Sequence, residues 1–403
     1  MTDAQGIYKT LAYKKQTAKG TASSGSGGQL LRRETATFNT KKATYAANEI
    51  VSHQQHSGDK HGIKTIEGQI SGVLSAATYA APLQSLLRKD FAAVSAISSL
   101  TLSVAGSGPY TVTRSTGDFL TDGVKIGHVV RLTGANLDAA NVGKNLVVTG
   151  VTALVLTVTV LNESALTAES SKASSTVTVT GKVTYTPTSG HTNDYYTVEE
   201  WYDDLDLSHL YSDVQFGQAD ISMPGTGNAT ISLTAMGIGD SPTGAQVLTT
   251  PTAETSTEVL AAVNGMVFVG GTRQTAVTGL SISITGNMTP GEATIGSNTI
   301  SDIVKGKVKV SGQFTAVFQS NTLAAIFDAE TATSLLIVIA ENDDADADFI
   351  SFSIPRAKVL SADKDDGEKQ IVRTYTFTAE YNGAGGAALA NHATTLQIQD
   401  SNA

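Results

Sequence analysis

The 403-residue chain contains no cysteine and only one tryptophan, and aromatic and charged residues make up just 6% and 16% of it. Without cysteine, disulfide scaffolds, thiolate metal sites and cysteine nucleophiles are excluded. The longest apolar run, LLIVIA at 335–340, is too short to cross a membrane as a helix. The first fifteen residues lack an apolar segment followed by a small-residue cleavage site, so no signal peptide is predicted.

Small and β-branched residues take the place of the scarce aromatic and charged ones. Thr, Ser, Ala, Val and Gly dominate the chain, and hydrophobic residues make up 40% of it. Because β-branched side chains suit pleated surfaces and glycine supplies turns, this composition is typical of β-rich structural proteins. The formal net charge of −10 argues against a protein that grips nucleic acid by its phosphates.

Short alternations of apolar and polar residues, separated by turn residues, predict strands along most of the chain. Two segments show helical spacing instead. The first covers about 78–90, where Tyr79, Leu83 and Leu87 recur every four residues. The second covers about 321–329, with Asn321 as a candidate N-cap.

The sequence also contains an internal repeat. GQISGV at 68–73 and GQFTAV at 312–317 are 244 positions apart, and the same gapless offset aligns three identical residues around the start of both predicted helices. Chance is the alternative, since a strand before an Ala-rich helix is common. A duplicated domain is favoured because the order of elements matches on both sides, and copies of about 120 residues are full domains rather than solenoid units.

The predicted fold is mainly β, with two tandem β-sandwich domains that each carry one flanking α-helix, plus an inserted small all-β domain. Sparse charge and dense Thr/Val alternation mark the inserted domain. GTASSGSGG near the N-terminus has the composition of a flexible linker, so an extended arm rather than a packed element is expected there. The predicted boundaries are 1–35 for this arm, 36–94 and 186–240 for the two parts of the first domain, 95–185 for the inserted domain, 241–265 for a linker, 266–383 for the second domain and 384–403 for a C-terminal tail.

The polar segment 45–62 is long for a hairpin loop, and loops of this size are usually functional. It contains His53, His56, Asp59 and His61, whose side chains are of the types that bind metals. Because their spacing is irregular, a solvated or subunit-contacting loop is the favoured interpretation. These four residues are the candidate contact residues, and no metal site is predicted.

Two acidic stretches, ENDDADAD at 341–348 and WYDDLDL at 201–207, resemble calcium loops in their carboxylate content. The first lacks the glycine and distal glutamate of an EF-hand loop, so solvated hairpin turns are favoured for both. No nucleophile-elbow, zinc-protease or phosphate-loop motif is found, so neither an enzyme nor a cofactor site is predicted. Trp201 is interpreted as a core or interface anchor rather than a sugar-stacking platform.

One family resemblance follows from these segments. LAYKKQTAKGTASSGSGGQLLRRETATF, followed after the long loop by GIKTIEGQISGVLSAATYAAPLQSLLR, resembles the N-terminal half of the major tail tube proteins of long, flexible-tailed bacteriophages. The resemblance covers residues 1–94 directly and 266–383 through the internal repeat, but it does not cover 95–185. It rests on the pattern of the fold and not on chemical motifs.

The resemblance implies a structural subunit of the virion that polymerises as stacked rings into a hollow conduit for genome passage. Since six tube domains usually make one ring in that family, a chain with two such domains implies a homotrimer with pseudo-sixfold symmetry. It further implies assembly in the host cytoplasm, tape measure and tail terminator proteins as partners, DNA that passes through the lumen without specific binding, and no membrane partner.

The same resemblance assigns parts to the chain: sheets line the lumen, helices face outward or lie between domains, and the loop at 45–62 and its counterpart at 289–305 reach the next ring. The inserted domain is expected to project outward. The alternative function is a secreted or cell-surface β-sandwich adhesin, which composition fits equally well. The missing signal peptide and the helix in each copy argue against it.

Overall fold

A computed structural model describes residues 3–53, 55, 58–366, 368–384 and 393–403. Before the predicted inserted domain the elements are β1 (Lys9–Lys15), β2 (Gln29–Leu30), β3 (Thr35–Ala46), β4 (Asp59–Val73) and α1 (Ala80–Leu87). The inserted domain contains β5 (Ile97–Gly106), β6 (Tyr110–Arg114), β7 (Val129–Thr133), β8 (Leu146–Val151), β9 (Val155–Val160) and β10 (Glu169–Val179).

The strands that complete the first half are β11 (Lys182–Tyr185), β12 (Tyr196–Tyr202), β13 (Leu207–Pro224), β14 (Thr230–Gly237) and β15 (Gly239–Thr243). The second half contains β16 (Gly265–Val269), β17 (Thr272–Arg273), β18 (Val277–Thr285), β19 (Met288–Pro290), β20 (Ile303–Lys305), β21 (Lys309–Val317), α2 (Thr322–Asp328), β22 (Thr333–Ala340), β23 (Phe349–Lys364), β24 (Val372–Ala379) and β25 (Gln397–Asp400). Two short 3-10 turns, Gly6–Tyr8 and Ala262–Asn264, complete the elements of the described residues.

Eight strands form one continuous antiparallel layer that runs through both halves. Their order across the layer is β3, β4, β14, β13, β18, β21, β24 and β23. The two halves therefore join through backbone hydrogen bonds between β13 and β18. A second layer packs over this one in each half, built around β1 and β12 in the first and β16 and β22 in the second, and the main apolar core lies between the layers.

Strand pairing in the two halves repeats with a constant offset. Gly68 lies opposite Phe38 in the β3–β4 pair, and Gly312 lies opposite Ile282 in the β18–β21 pair. Both strands therefore shift by 244 positions (312 minus 68, and 282 minus 38), which is the offset of the sequence repeat. The outer part of the β3–β4 hairpin follows the same rule, because Thr44 pairs with His61 as Met288 pairs with Lys305.

β-Bulges repeat as well. In the β13–β14 pair the register slips between Phe216 and Gln218, and in the β23–β24 pair it slips between Val359 and Ser361, 143 positions later. The extra residue is Gly217 in the first half and Leu360 in the second. A bulge bends its strand, and in both halves it lies where the long strand passes from the second layer into the continuous layer.

Packing explains why glycine opens both GQ motifs. A β-carbon on Gly68 would lie 2.3 Å from the ring of Phe38, and one on Gly312 would lie 2.7 Å from the ring of Phe377. Each ring belongs to the residue directly opposite its glycine. An aromatic side chain thus covers the bare backbone in both halves, which fills the core at a position where a larger residue would overpack it.

The inserted domain is a closed six-stranded barrel in the order β10, β5, β6, β9, β8 and β7, with a core of its own. It packs on the second half rather than standing apart. Val129, Val147 and Leu161 of the barrel share a buried cluster with a group of second-half residues that includes Phe268, Leu336, Val338 and Phe349. β22 is therefore buried on both faces, which explains its uninterrupted apolar sequence LLIVIA.

Three segments differ in character from what composition indicated. The expected unpacked arm contains β1, which pairs with β12 and buries Leu11 and Ala12, so that expectation is wrong for this part of residues 1–35. Its two buried residues are adjacent and flanked by lysines, so no apolar alternation marked the strand. The predicted linker crosses the first half with Leu248 and Leu260 fully buried. In the predicted C-terminal tail, β25 pairs with both β11 and β23.

The predicted fold class is confirmed: the chain is mainly β, its described residues contain one α-helix in each half, and the insertion is all-β. Both helices lie inside their predicted bounds, α1 at Ala80–Leu87 and α2 at Thr322–Asp328. In the described part of the chain neither helix has the length and apolar character needed to span a membrane.

Candidate functional site

One face of the continuous layer is polar and open to solvent. Its side chains alternate with the core residues along every strand, so that Thr37 and Gln69 face outward while Phe38 and Ile70 are buried. Most residues in register on this face are Thr, Ser, Asn or Gln. A wide surface of small uncharged polar groups offers hydrogen bonding everywhere but no strong local charge.

Charge on the polar face is sparse and nearly balanced. The charged residues in register there are Lys41, Glu67, Asp220, Lys309, Lys358 and Asp363. Lys41 and Glu67 form an ion pair, which cancels both. Three cations against three carboxylates leave this face without net charge, although the chain as a whole carries −10.

Both ends of the continuous layer have an open edge. Among the described residues, β3 has a strand partner only in β4, and the last part of β23 has one only in β24. An unpaired edge is a template for another strand, so natural proteins either protect it or use it. Two carbonyl oxygens of β3 accept side-chain hydrogen bonds, Ala36 from the Lys9 ammonium and Phe38 from the Tyr211 hydroxyl.

The first long hairpin carries the predicted contact residues. Its strands continue further than expected, to the pair Ala46–Asp59, so the loop between them spans 47–58. His53 lies in that loop, while Asp59 and His61 lie on β4, and all three are exposed. His56 lies outside the described residues. The tip also carries Ile50, which is fully exposed, an unusual position for a large apolar side chain.

The corresponding hairpin of the second half, 288–305, lies against the first half of the same chain. The Lys64 amide donates to the Asn298 carbonyl at 2.7 Å, and Ile300 and Ile303 pack in a small cluster with Ile238. The ammonium of Lys305 reaches the Ser85 carbonyl on α1 at 3.3 Å. Burial lowers the pKa of Lys305 to about 8.

Further ties join the second hairpin to the first half. Asp302 accepts a hydrogen bond from the Tyr195 hydroxyl and forms an ion pair with Lys19. Burial opposes ionisation of Asp302, but the donors around it prevail and lower its pKa. The stem of this hairpin is therefore fixed. Its tip is open to solvent, where Ile295 is fully exposed, as Ile50 is in the first hairpin.

The acidic turns are hairpin connections. In the turn after β22, the Glu341 amide donates to the Asp348 carbonyl, and the carbonyls of Asp343 and Asp346 accept hydrogen bonds from the barrel. The stretch 201–207 joins β12 to β13, with Trp201 donating to Asp203. Within the described ranges, no group of three or more His, Asp or Glu side chains is arranged to hold a metal ion.

Buried carboxylates hold the C-terminal strand and the connecting segment in place. Asp400 on β25 accepts hydrogen bonds from the Ala77 and Asn402 amides, and burial raises its pKa to about 6. Glu199 on β12 is fully buried and accepts from the amides of Val247 and Leu248 in the connecting segment. Local sequence pattern did not reveal either role, because the partners are far away in the chain.

A family model described as phage tail tube protein matches residues 9–379 of the chain. The match begins at β1 and ends with β24, so it includes both halves and the inserted barrel. No curated protein matches the chain.

Proposed function

The chain belongs to the phage tail tube protein family and is a structural component of the virion tail, and we propose that three copies form each ring of its tube. The repeated pairing pattern supports this proposal most directly. Each chain supplies two equivalent halves, and the halves lie side by side in one continuous layer. Three chains then supply six halves, and a head-to-tail contact closes into a ring when its rotation permits. The result is a homotrimer with pseudo-sixfold symmetry.

The open polar face of the continuous layer is proposed to line the lumen. Duplex DNA would be held by a wall rich in Lys and Arg, because phosphate contacts dominate its binding. The polar face carries three cations and three carboxylates, so a wall built from it neither attracts nor strongly repels DNA. This supports passage of the genome without specific binding. The barrel packs on the opposite side of the chain, consistent with an outward position.

We propose two roles for the first long hairpin. Its stem should contact a neighbouring copy as the second hairpin contacts the first half, since His61 occupies the position of Lys305. Its tip, with Ile50 and His53, should reach the next ring together with Ile295 of the second hairpin. Asp59 lies on the same hairpin, and both it and His56, which lies outside the described residues, keep their predicted contact role.

The remaining proposals follow from the family. A polymer of rings needs proteins that set its length and close its end, so tape measure and tail terminator proteins are the proposed partners. A long flexible tail, assembly in the host cytoplasm and a role in genome ejection belong to the same proposal. A structural role in the tube implies no enzymatic activity.

Electron microscopy of the purified protein tests the ring proposal. We expect stacked rings in which image symmetry is threefold and each asymmetric unit contains two similar densities plus one outer barrel. The mass of an isolated ring, measured by native mass spectrometry, should equal three 41.7 kDa chains. Rings of six chains would contradict the trimer while leaving the tube function intact. Strings of monomers without rings would favour the adhesin.

A further inference from the structure

The two halves of one chain join where β13 pairs with β18, and we call this pairing the internal seam. It offers a template for strand pairing between two chains. Within the chain, β13 pairs with β18 from Gln218–Thr285 to Pro224–Gly279. β23 is the equivalent of β13, at an offset of 143, and β3 is the equivalent of β18, at an offset of 244. These equivalents are the two strands with open edges.

We propose that the end of β23 pairs with the outer edge of β3 in a second copy of this chain, in the register of the internal seam. Asp363 would then lie opposite Asn39, and Ser361 opposite Lys41. The proposal rests on the proposed ring, and it adds the interface, its register and the residues that determine it.

A side-chain hydrogen bond supports this register. In the internal seam the Ser283 hydroxyl donates to one oxygen of Asp220 at 2.5 Å, while the Gln218 amide donates to the other. Asp363 is the equivalent of Asp220, and it already accepts from Ser361, the equivalent of Gln218. The residue opposite Asp363 would be Asn39, whose amide can donate as Ser283 does. The proposed seam would thus place a donor opposite Asp363, as the internal seam places one opposite Asp220.

At the bulge, a small residue meets a large one in both seams, but the large residue lies on opposite strands in the two cases. In the internal seam the bulged residue is Gly217, and a β-carbon there would lie 2.1 Å from the terminal methyl of Met288. At the proposed seam the bulged residue is Leu360, which is 55% exposed. The equivalent of Met288 is Thr44, a small and exposed residue. A small residue faces a large one in both seams, and the exposed Leu360 obtains a partner.

The side-chain hydrogen bonds that cap two carbonyl groups of β3 are compatible with this pairing. The carbonyls of Ala36 and Phe38 each accept one side-chain hydrogen bond, from Lys9 and Tyr211. A carbonyl oxygen has two lone pairs, so each can accept a second bond from an incoming strand. Until that strand arrives, the caps reduce the attraction of the edge for unrelated strands.

Cysteine cross-linking tests the register, because the natural chain has no cysteine to interfere. The Gly286 amide donates to Gly217 in the internal seam, which makes the neighbouring pairs the closely spaced kind that suits a disulfide. Ser361→Cys with Lys41→Cys should therefore oxidise to species of two and three chains, and no larger. The matched control, Ser361→Cys with Thr37→Cys, moves one thiol by four residues, about 13 Å, and should not cross-link.

A volume swap tests the same seam without cross-links. Thr44→Met should lower tube yield about tenfold or more, because the new side chain meets Leu360 in a seam with no room for both. Adding Leu360→Gly rebuilds the internal Gly–Met pair and should restore assembly. Circular dichroism and thermal unfolding of each variant's monomer serve as the control for folding.

The outcomes separate this inference from the ring proposal. If the wild-type chain forms tubes but the variant with Ser361→Cys and Lys41→Cys does not cross-link, the proposed register is wrong. Cross-links in the control variant would lead to the same conclusion. Either result leaves the tube proposal intact. Normal assembly of Thr44→Met would overturn the volume argument. If the wild-type chain makes no rings, the ring proposal itself fails.

Discussion

Removing the inserted barrel should destabilise the second half, although the barrel is a closed module. Its entry and exit strands are joined, since Ala92 and Val183 exchange both backbone hydrogen bonds at 3.0 and 2.9 Å. Replacing residues 94–181 by two glycines therefore closes the chain with a short turn and little strain. What the deletion removes is the cover over the outer surface of β16 and β22.

The size of the effect follows from the side chains that lose this cover. Met266, Phe268, Leu336, Val338 and Phe349 are each at most 5% exposed. Full burial of such a side chain contributes about 1.5–3 kcal/mol, so losing half of it at five positions costs roughly 4–8 kcal/mol. That is comparable to the whole stability of a typical domain.

A buried amide adds to this cost. Gln399 accepts from the Val129 amide and donates to the carbonyls of Val129 and Thr180 in the intact chain. After the deletion all three partners are gone. We therefore expect the deletion variant to aggregate or to unfold at a much lower temperature than the full chain.

A second variant separates lost cover from lost assembly contacts. The same deletion with Phe268→Thr, Leu336→Thr and Val338→Thr makes the uncovered surface polar and should recover soluble protein that still forms tubes. Solubility, thermal unfolding and negative-stain microscopy measure these outcomes. A plain deletion that stays soluble with an unchanged melting temperature would refute the reasoning. A soluble polar variant without tubes would show that the barrel makes contacts required for assembly.

Two further predictions concern a titrating group and the hairpin tips. Because burial raises the pKa of Asp400 from 3.8 to about 6, the native state binds this proton more tightly than the unfolded state does, and the free energy of unfolding should fall by about 2 kcal/mol as pH rises from 4 to 6. Asp400→Asn should remove this slope in denaturant titrations and exposed Asp328→Asn should keep it; equal slopes in both would contradict the assignment. The double variant Ile50→Asp, Ile295→Asp should form single rings that do not stack, whereas the control Leu154→Asp on the barrel should form normal tubes. Normal tubes from the double variant would exclude the hairpin tips from ring stacking.

Sequence pattern predicted the features that depend on local order. The repeat at an offset of 244, both helices and the separate β module follow from periodicity and composition, because each reflects neighbouring residues along the chain. The run LLIVIA at 335–340 contained a further signal, since an uninterrupted apolar strand indicates burial on both faces. It pointed to a partner for β22 but not to the barrel as that partner.

Long-range pairing could not be predicted in the same way. Nothing near Leu11 indicates that β1 pairs with β12, about 190 residues away, because short strands bury few residues and their register is set by distant neighbours. The bulges at Gly217 and Leu360 were hidden for the same reason. The contact residues on the first hairpin stay predictions, since their partners would lie on other copies of the chain.

Fusion of two tube domains in one chain allows the two halves to diverge. The outer surface of β12 carries Glu199 where the equivalent strand β22 carries Leu336, so only the second half is built to receive the barrel. The bulge positions diverge likewise, with Gly217 facing Met288 inside the chain and Leu360 proposed to face Thr44 between chains. Exchanging partners would place Leu360 against Met288, which overpacks the seam, or Gly217 against Thr44, which leaves a void. Complementary volumes would thus make the halves alternate around the ring, an order that a ring of six identical domains could not specify.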